Sequence, residues 1–326
     1  MTDAIAKNSF TEGGIQRLRQ RVGHYMTEAL SESTRKAYQS DWARWEAFCQ
    51  SMQAQPLPAE PQVVALFAAT LADEGKAVST IERALAAITK AHELRELQTP
   101  CSHAGVKMTM KGIRRELGVA PQQVAALSPG HLKAMVEALD FSEKKFLRSV
   151  RDHALLLVGF AGGFRRSELA GLRLEDLEAT QQGYIVRLRR SKTDQEGQGR
   201  VVGVPRGADP RTCPSRRLKL WIESRGTEPG ALFCAVSQDG MSVKPERHIA
   251  PRTVARIVQR CAVRAGINDW VAGHSLRAGL VTSAAKARKP LHAITAQTGH
   301  KSVDMVLRYI RRAEIWDDNA ASDIGL

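Results

Sequence analysis

Among the side chains of this sequence that could do chemistry, several cations, two histidines and a tyrosine fall in a distinctive order. Arg165 lies in Gly162-Gly163-Phe164-Arg165-Arg166-Ser167-Glu168-Leu169, directly after an apolar run, with Glu168 three residues on to hold it as a fixed guanidinium. Lys192 sits in Arg190-Ser191-Lys192-Thr193, within a Gly-, Asp- and Lys-rich stretch. His274 and Arg277 are spaced i, i+3, which puts both on one face of a helix. Gly299-His300 precedes an apolar helix, and Tyr309, one of only four tyrosines, follows nine residues after His300. Such groups make sense around a phosphodiester, because guanidiniums can clamp its non-bridging oxygens. Taken singly, each is an ordinary surface feature; their joint order and spacing is not.

Other chemistries find no support. The sequence has no G-x-x-x-x-G-K-[ST] phosphate loop and no G-x-S-x-G elbow, and its nine histidines show no metal-ligand spacing. Five cysteines (Cys49, Cys101, Cys213, Cys234 and Cys261) are scattered without pairing, so neither a disulfide frame nor a zinc site is expected. No metal and no other cofactor is implied.

The elements that must position these groups divide in two. A chain of 326 residues suits roughly two domains of ~150 residues. In the first part, Tyr38, Trp42, Trp45, Cys49 and Met52 recur at helical steps after the cap residues at 31–34. A proline-punctuated turn at 55–61 precedes a second helix ended by Gly75, and Ser79 and Thr80 can cap a third. A fourth, 106–117, has an apolar stripe beside the cations Lys107, Lys111, Arg114 and Arg115, which could follow a phosphate backbone. Periodicity lapses over 118–129. Beyond it come a helix capped by Ser128, an apolar helix ending at the Gly162-Gly163 pair, and strands at 184–188 and 201–204 that flank the Lys192 hairpin. Helices then resume, with Arg252, Arg256, Arg260 and Arg264 stepping by four along a ridge opposite Val254, Ile257, Val258 and Cys261.

The net charge of +14 points to a polyanion. It is concentrated late: residues 1–120 hold 15 basic against 13 acidic residues, and 121–326 hold 33 against 21. Charge alone leaves DNA, RNA and lipid headgroups open, but the arginine ridge fits a nucleic-acid groove better than a membrane. The first ten residues lack a signal pattern, and no run approaches the ~18 apolar residues that cross a bilayer, so a cytoplasmic protein is expected, with no membrane partner.

The order Arg-x-Ser-Glu, hairpin Lys, His-x-x-Arg, Gly-His and then Tyr resembles the tyrosine recombinases, or phage integrases, over 127–312. The first part is similar to the core-binding domain of Cre and its relatives, in 33–49, in Pro58-Ala59-Glu60-Pro61 and in 80–92. Cre itself has Trp where this chain has His300. The resemblance implies a mostly α, two-domain protein: a flexible lead (1–20), a helical, SAM-like core-binding DNA clamp (21–117), a linker (118–129) and a mixed α+β catalytic domain with a small antiparallel sheet (130–326). It implies Arg165, Lys192, His274, Arg277, His300 and Tyr309 as the catalytic set, supported by Glu168. Tyr309 would attack a DNA phosphate, giving a 3′-phosphotyrosine and a free 5′ hydroxyl without metal or ATP. Arg165 and Arg277 would clamp the phosphate with help from His300, Lys192 would protonate the leaving oxygen, and His274 would assist proton transfer at the tyrosine.

Lys107, Lys111, Arg114, Arg115, Arg252, Arg256 and Arg260 are expected to contact DNA. The implied partners are duplex DNA with an inverted-repeat site and further copies of the chain, a tetramer closed through the tail that carries Ile315, Trp316, Ile324 and Leu326. Localisation would be cytoplasmic and nucleoid-associated, as in bacteria or phage. Two alternatives stay open at this point, a type IB topoisomerase with the same catalytic set and a DNA-binding protein without catalysis.

Overall fold

Ser31 caps helix α1 (Glu32–Ser51), accepting a hydrogen bond from the Thr34 N–H at 3.2 Å. The computed structural model describes residues 30–119, 124–189, 199–300 and 302–313, together with 16, 20 and 21. The chain divides into two compact units between Gln122 and Gln123.

In the first unit α2 (Pro61–Asp73) begins with proline at a position where the missing N–H is not needed, and Gly75 at φ +70° ends it. Helices α3 (Val78–Glu93) and α4 (Ala104–Leu117) follow in the same unit. The start of α3 differs from the sequence reading. Ala77 is its N-cap, without a side-chain bond, and Ser79 and Thr80 fall inside the first turn. Val78 explains the shift: it is buried with the core, so the helix begins early enough to present it. Trp45, Phe67, Ile81, Ile88 and Met110 share that core. Trp45 packs edge-on against Phe67 at 5.1 Å and donates its indole N–H to Pro56 O at 3.0 Å, so the ring is buried without an orphaned donor.

The second unit begins with α5 (Pro129–Glu137), capped by Ser128, and α6 (Phe146–Ala161), whose residues from Ser149 to Gly159 are all buried. A six-residue helix, α7 (Arg166–Gly171), leads into a three-stranded antiparallel sheet of β1 (Leu177–Thr180), β2 (Gly183–Leu188) and β3 (Arg200–Pro205). In the β2–β3 register Leu188 faces Arg200, so the stretch holding Lys192 connects those two residues. Next come α8 (Pro214–Arg225) and a hairpin of β4 (Cys234–Val236) and β5 (Val243–His248). Four helices follow: α9 (Pro251–Arg264), α10 (Ser275–Lys286), α11 (Leu291–Thr298) and α12 (Val303–Ala313).

The fold is thus mostly helical with small antiparallel sheets. Strands β1, β4 and β5 leave no clear signal in the sequence. Leu177–Thr180 is too short for alternation to register, and Val243–His248 carries charges and a proline that mask its strand character. Residues of α6, α8 and α9 join Val186, Val202 and Val204 in one core. No helix among the described residues is long and apolar enough to cross a membrane.

Candidate active site

Between α6 and α7 the chain turns with no room to spare. A Cβ on Gly162 would lie 2.1 Å from the Phe164 ring, and one on Gly163, at φ +58°, would meet Leu280 and Thr298 carbons at 2.8 and 2.9 Å. The turn brings Arg165 to the N-cap of α7, with Glu168 at the third helical position. There the Arg165 backbone N–H donates to Glu168 Oε2 at 2.8 Å, half of a capping box. The Arg165 guanidinium donates through Nη1 to Glu168 Oε1 at 2.6 Å and through Nη2 to Gly299 O at 3.3 Å. Burial alone would raise the Glu168 pKa. The Arg165 N–H and the Arg200 and Arg165 guanidiniums outweigh it and hold the carboxyl below its ordinary range.

His274 is the N-cap of α10 and Arg277 its third residue. Arg277 is 1% exposed. Its Nη1 donates to Gly163 O at 2.7 Å and also to Thr298 O, while Nε and Nη2 are buried without a partner among the described residues. Burial, with the charge of Arg165 next, brings Arg277 down to about 9, so it stays cationic at neutral pH.

Helix α11 ends at Gly299, which adopts the left-handed conformation at φ +65°. A side chain there is barred twice over, because a Cβ would also meet the Arg200 guanidinium at 2.8 Å. Thr298 Oγ1 donates to Ile294 O at 2.7 Å and lies 2.7 Å from His300 Nδ1. With the hydroxyl proton committed to Ile294, Nδ1 donates to Thr298 and carries the ring proton; Nε2, buried and without a partner among the described residues, is bare in the neutral ring. Burial first, then Arg277, pushes His300 down to about 3. Burial, Arg277, Arg165 and Arg166 push His274 down to about 4. Both rings are therefore neutral at pH 7 in the protein alone. Tyr309, on α12, packs against the cluster of Val281, Ile294 and Val306. Burial raises its hydroxyl pKa while Arg277 pulls the other way.

Arg165, Glu168, His274, Arg277, His300 and Tyr309, 144 residues apart at the extremes, are linked here by hydrogen bonds and mutual charge effects. Lys192 and the tail residues Ile315, Trp316, Ile324 and Leu326 lie outside the described residues. The free donors on Arg277 give the site its chemistry: a buried donor without an acceptor costs about 1–3 kcal/mol, which the oxygens of an anion would relieve.

Three contributors were not singled out in the sequence. Arg200 donates to Glu168 Oε2 at 3.0 Å and to Gln297 O at 2.8 Å, and no motif around it announces this. Thr298 orients His300; its place immediately before Gly-His was the available signal. Arg166 lays its stem where a Cβ on Gly273 would be, 2.3 Å from its Cδ, next to His274.

The cations expected on DNA differ in how free they are. Lys107, Lys111 and Arg115 on α4, and Arg252 and Arg256 on α9, are exposed and make no ion pair among the described residues. Arg114 instead pairs with Glu82 at 2.8 Å, and Arg260 pairs with the buried Asp152, which also accepts two hydrogen bonds from Arg151.

Residues 131–314 match the phage integrase family, and residues 24–95 match its N-terminal SAM-like domain. The chain is 33% identical over 320 residues to an integrase/recombinase XerD homolog of Selenomonas ruminantium, covering 97% of this chain and 92% of the relative. It is 24% identical over 294 residues to tyrosine recombinase XerC of Syntrophus aciditrophicus, covering 86% and 87%. Among solved structures, a lambda integrase dimer bound to a core site matches with TM-score 0.61 at 17% identity, over 90% of this chain and 93% of that one. The XerH recombinase in a post-cleavage DNA complex matches with TM-score 0.57 at 19% identity, over 84% and 76%. By the likeness to a recombinase over 97% of its length and the family match over residues 131–314, this chain belongs to the phage integrase family, the tyrosine recombinases.

Proposed function

We propose that the protein is a site-specific recombinase that cuts and rejoins duplex DNA with Tyr309 as its nucleophile. The observation that carries the assignment of the site is the pair of Arg277 donors, Nε and Nη2, buried and without a partner among the described residues, beside Arg165 and His300. A phosphodiester oxygen supplies the missing acceptors. The Tyr309 oxygen bonds to phosphorus and loses its proton, with His274 assisting; the P–O5′ bond breaks and the 5′ oxygen takes a proton from Lys192. One phosphodiester replaces another, so the step reverses when a 5′ hydroxyl from the same or a second duplex attacks. Tyrosine ionises near pH 10 in water, so the arginines must stabilise charge on the pentacoordinate phosphorus as the proton leaves. His300 donates to the phosphate as an imidazolium once the anion has raised its pKa.

The SAM-like first unit and the second unit serve, in this reading, as clamp and catalytic domain joined over 118–129, with an inverted-repeat duplex as substrate. Tetramer formation through the tail is supported by an apolar groove of about 990 Å³ in the second unit, lined in part by Leu132, Leu157, Phe160, Leu280, Ala293 and Ile294. Its occupant is the segment with Ile315, Trp316, Ile324 and Leu326 from a neighbouring copy. The grouping with Cre is carried by 33–49 and 80–92, and His300 is where the chain departs from it. Action on cellular or phage DNA would place the protein in the bacterial cytoplasm, on the nucleoid.

The test uses a nicked suicide duplex built on the sequence that the full chain selects from random DNA. Wild type should accumulate a 3′-linked covalent adduct, and Tyr309→Phe should bind equally and accumulate none. An adduct with the Phe variant would remove Tyr309 as nucleophile. Deletion after residue 313 should leave cleavage intact and abolish synapsis of two duplexes; full recombination without the tail would overturn docking between copies.

A further inference from the structure

Arg200 is the first residue of β3, the strand that returns from the Lys192 stretch. Its guanidinium works in two directions. Nη2 donates to Glu168 Oε2 at 3.0 Å, on the carboxyl that also holds Arg165, and Nη1 donates to Gln297 O at 2.8 Å, one turn before His300. Its planar group lies against the Gly299 backbone, where a Cβ would meet Nη1, Cζ and Cδ at 2.8 to 3.0 Å. The Gln297 amide fastens the same corner from the other side, donating to Ala161 O at 2.8 Å and to Gly203 O, also on β3, at 2.7 Å. The Arg200 side chain is 17% exposed and its Nε is buried without a partner among the described residues.

These contacts connect the two halves of the phosphate site. Arg165 comes from the turn after α6, and His300 and the carbonyls of Thr298 and Gly299 come from the end of α11. Arg200 donates to both sides, to Glu168 in the first and to Gln297 in the second. A planar guanidinium can serve a carboxylate and a carbonyl together, whereas an ammonium on a flexible stem is a point donor without that fork. We propose that Arg200 is a positioning residue for strand cleavage: by holding Glu168 and the 297–299 corner together it keeps Arg165 and His300 in register on the non-bridging oxygens of the scissile phosphate. The proposal rests on the reading of Tyr309 as nucleophile, and its test separates the two.

Three suicide duplexes of the selected sequence differ only at the scissile phosphate. One has the natural diester. One has a 5′-bridging sulfur, which leaves as a thiolate and needs no proton from a general acid. One has a methylphosphonate, in which a methyl replaces a non-bridging oxygen and removes the charge the arginines clamp. For full-length Arg200→Gln, DNA affinity should be unchanged and diester cleavage slower by about 10- to 100-fold, the scale of a sub-ångström to ångström misplacement. The deficit should persist on the bridging sulfur and largely disappear on the methylphosphonate. Arg200→Lys should show the same pattern with a smaller deficit, and it carries the comparison alone if the Gln variant does not give the wild-type circular dichroism.

A deficit that vanishes on the bridging sulfur would assign Arg200 to the leaving-group side and overturn the proposal. An equal deficit on all three duplexes, the mark of a merely smaller folded fraction, or no deficit at all would overturn it too. If wild type itself forms no adduct, it is the Tyr309 reading that fails.

Discussion

Glu168 is the acceptor on which the site is assembled, and Glu168→Gln isolates its charge with little change in shape. The side chain is 1% exposed, so solvent screens little of the interaction. Three charged or backbone donors converge on it: Arg165 Nη1 at 2.6 Å, Arg165 N–H at 2.8 Å and Arg200 Nη2 at 3.0 Å. A glutamine keeps one acceptor oxygen and turns an NH2 group toward the remaining donors. It also leaves Arg165, Arg200 and Arg277 together without a counter-charge. Breaking a buried ion pair from one side costs about 3–5 kcal/mol. For a unit of about 200 residues, at about 2–4 °C per kcal/mol, the unfolding midpoint should fall by about 6–20 °C. The same logic predicts a compensating gain. Sulfate binds where the carboxylate charge is missing, so rising sulfate should raise the variant's midpoint more than the wild type's. Differential scanning calorimetry at pH 7 measures both, with Glu178→Gln, whose Arg187 partner is on the surface, as a control expected to change little. A Glu168→Gln midpoint as close to wild type as the control's, or an equal sulfate response in both proteins, would refute this account of the site.

Arg277→Lys should cut adduct formation by about 10²- to 10³-fold with DNA affinity nearly unchanged, because a lysine cannot keep the Gly163 and Thr298 carbonyls satisfied while presenting donors to the phosphate; gel quantification of the adduct checks this. DNA binding should take up protons at pH values above about 3, where His300 is neutral in the protein alone. His300 is held neutral at about 3 in the free protein, and an anion at its Nε2 raises that value toward the working pH, so affinity should strengthen as pH falls; calorimetry in buffers of different ionisation enthalpy reads the uptake, and His300→Gln should reduce it. Lys111→Ala and Arg256→Ala should each lower the salt dependence of binding by about one counterion. Arg260→Ala should act mainly on stability, since it strips a partner from buried Asp152; unchanged unfolding with a reduced salt slope would assign Arg260 to DNA instead.

How much of this was legible beforehand follows from the kind of signal each residue leaves. Arg165 and Glu168 announce themselves because a capping box is local, a spacing of three at a helix start, and the two glycines before it declare the turn. His274 and Arg277 are legible for the same reason. The helices of both units could be read because each buries a stripe, as Val254, Ile257, Val258 and Cys261 do opposite the exposed arginines of α9. Arg200 left no such trace. Its partners Glu168 and Gln297 are 32 and 97 residues away, and only the sheet register and the end of α11 bring them within reach. Long-range pairing also explains Arg260, whose helical spacing matched Arg252 and Arg256 while its charge was already committed to Asp152, 108 residues earlier.

The two arginines expected on the phosphate are held in different ways, and the difference bears on their roles. Arg165 faces a carboxylate, but Glu168 divides its charge between Arg165 and Arg200, so neither guanidinium is fully neutralised. Among the described residues Arg277 bonds to two carbonyls, Gly163 O and Thr298 O, which orient it without cancelling its charge. Burial then makes the uncompensated guanidinium costly enough to lower its pKa to about 9. The folded protein thus carries fixed donors and excess positive charge at one place before any DNA arrives. Fixed donors need no reorganisation when negative charge develops on phosphorus, which is where preorganised sites gain most of their rate. On this argument Glu168 sets a balance: with no carboxylate three buried guanidiniums repel one another, and with a second one a net charge of only about +1 would meet the phosphate. One carboxylate among three arginines leaves a net charge of about +2, enough to match the doubly charged pentacoordinate phosphorus of the transition state.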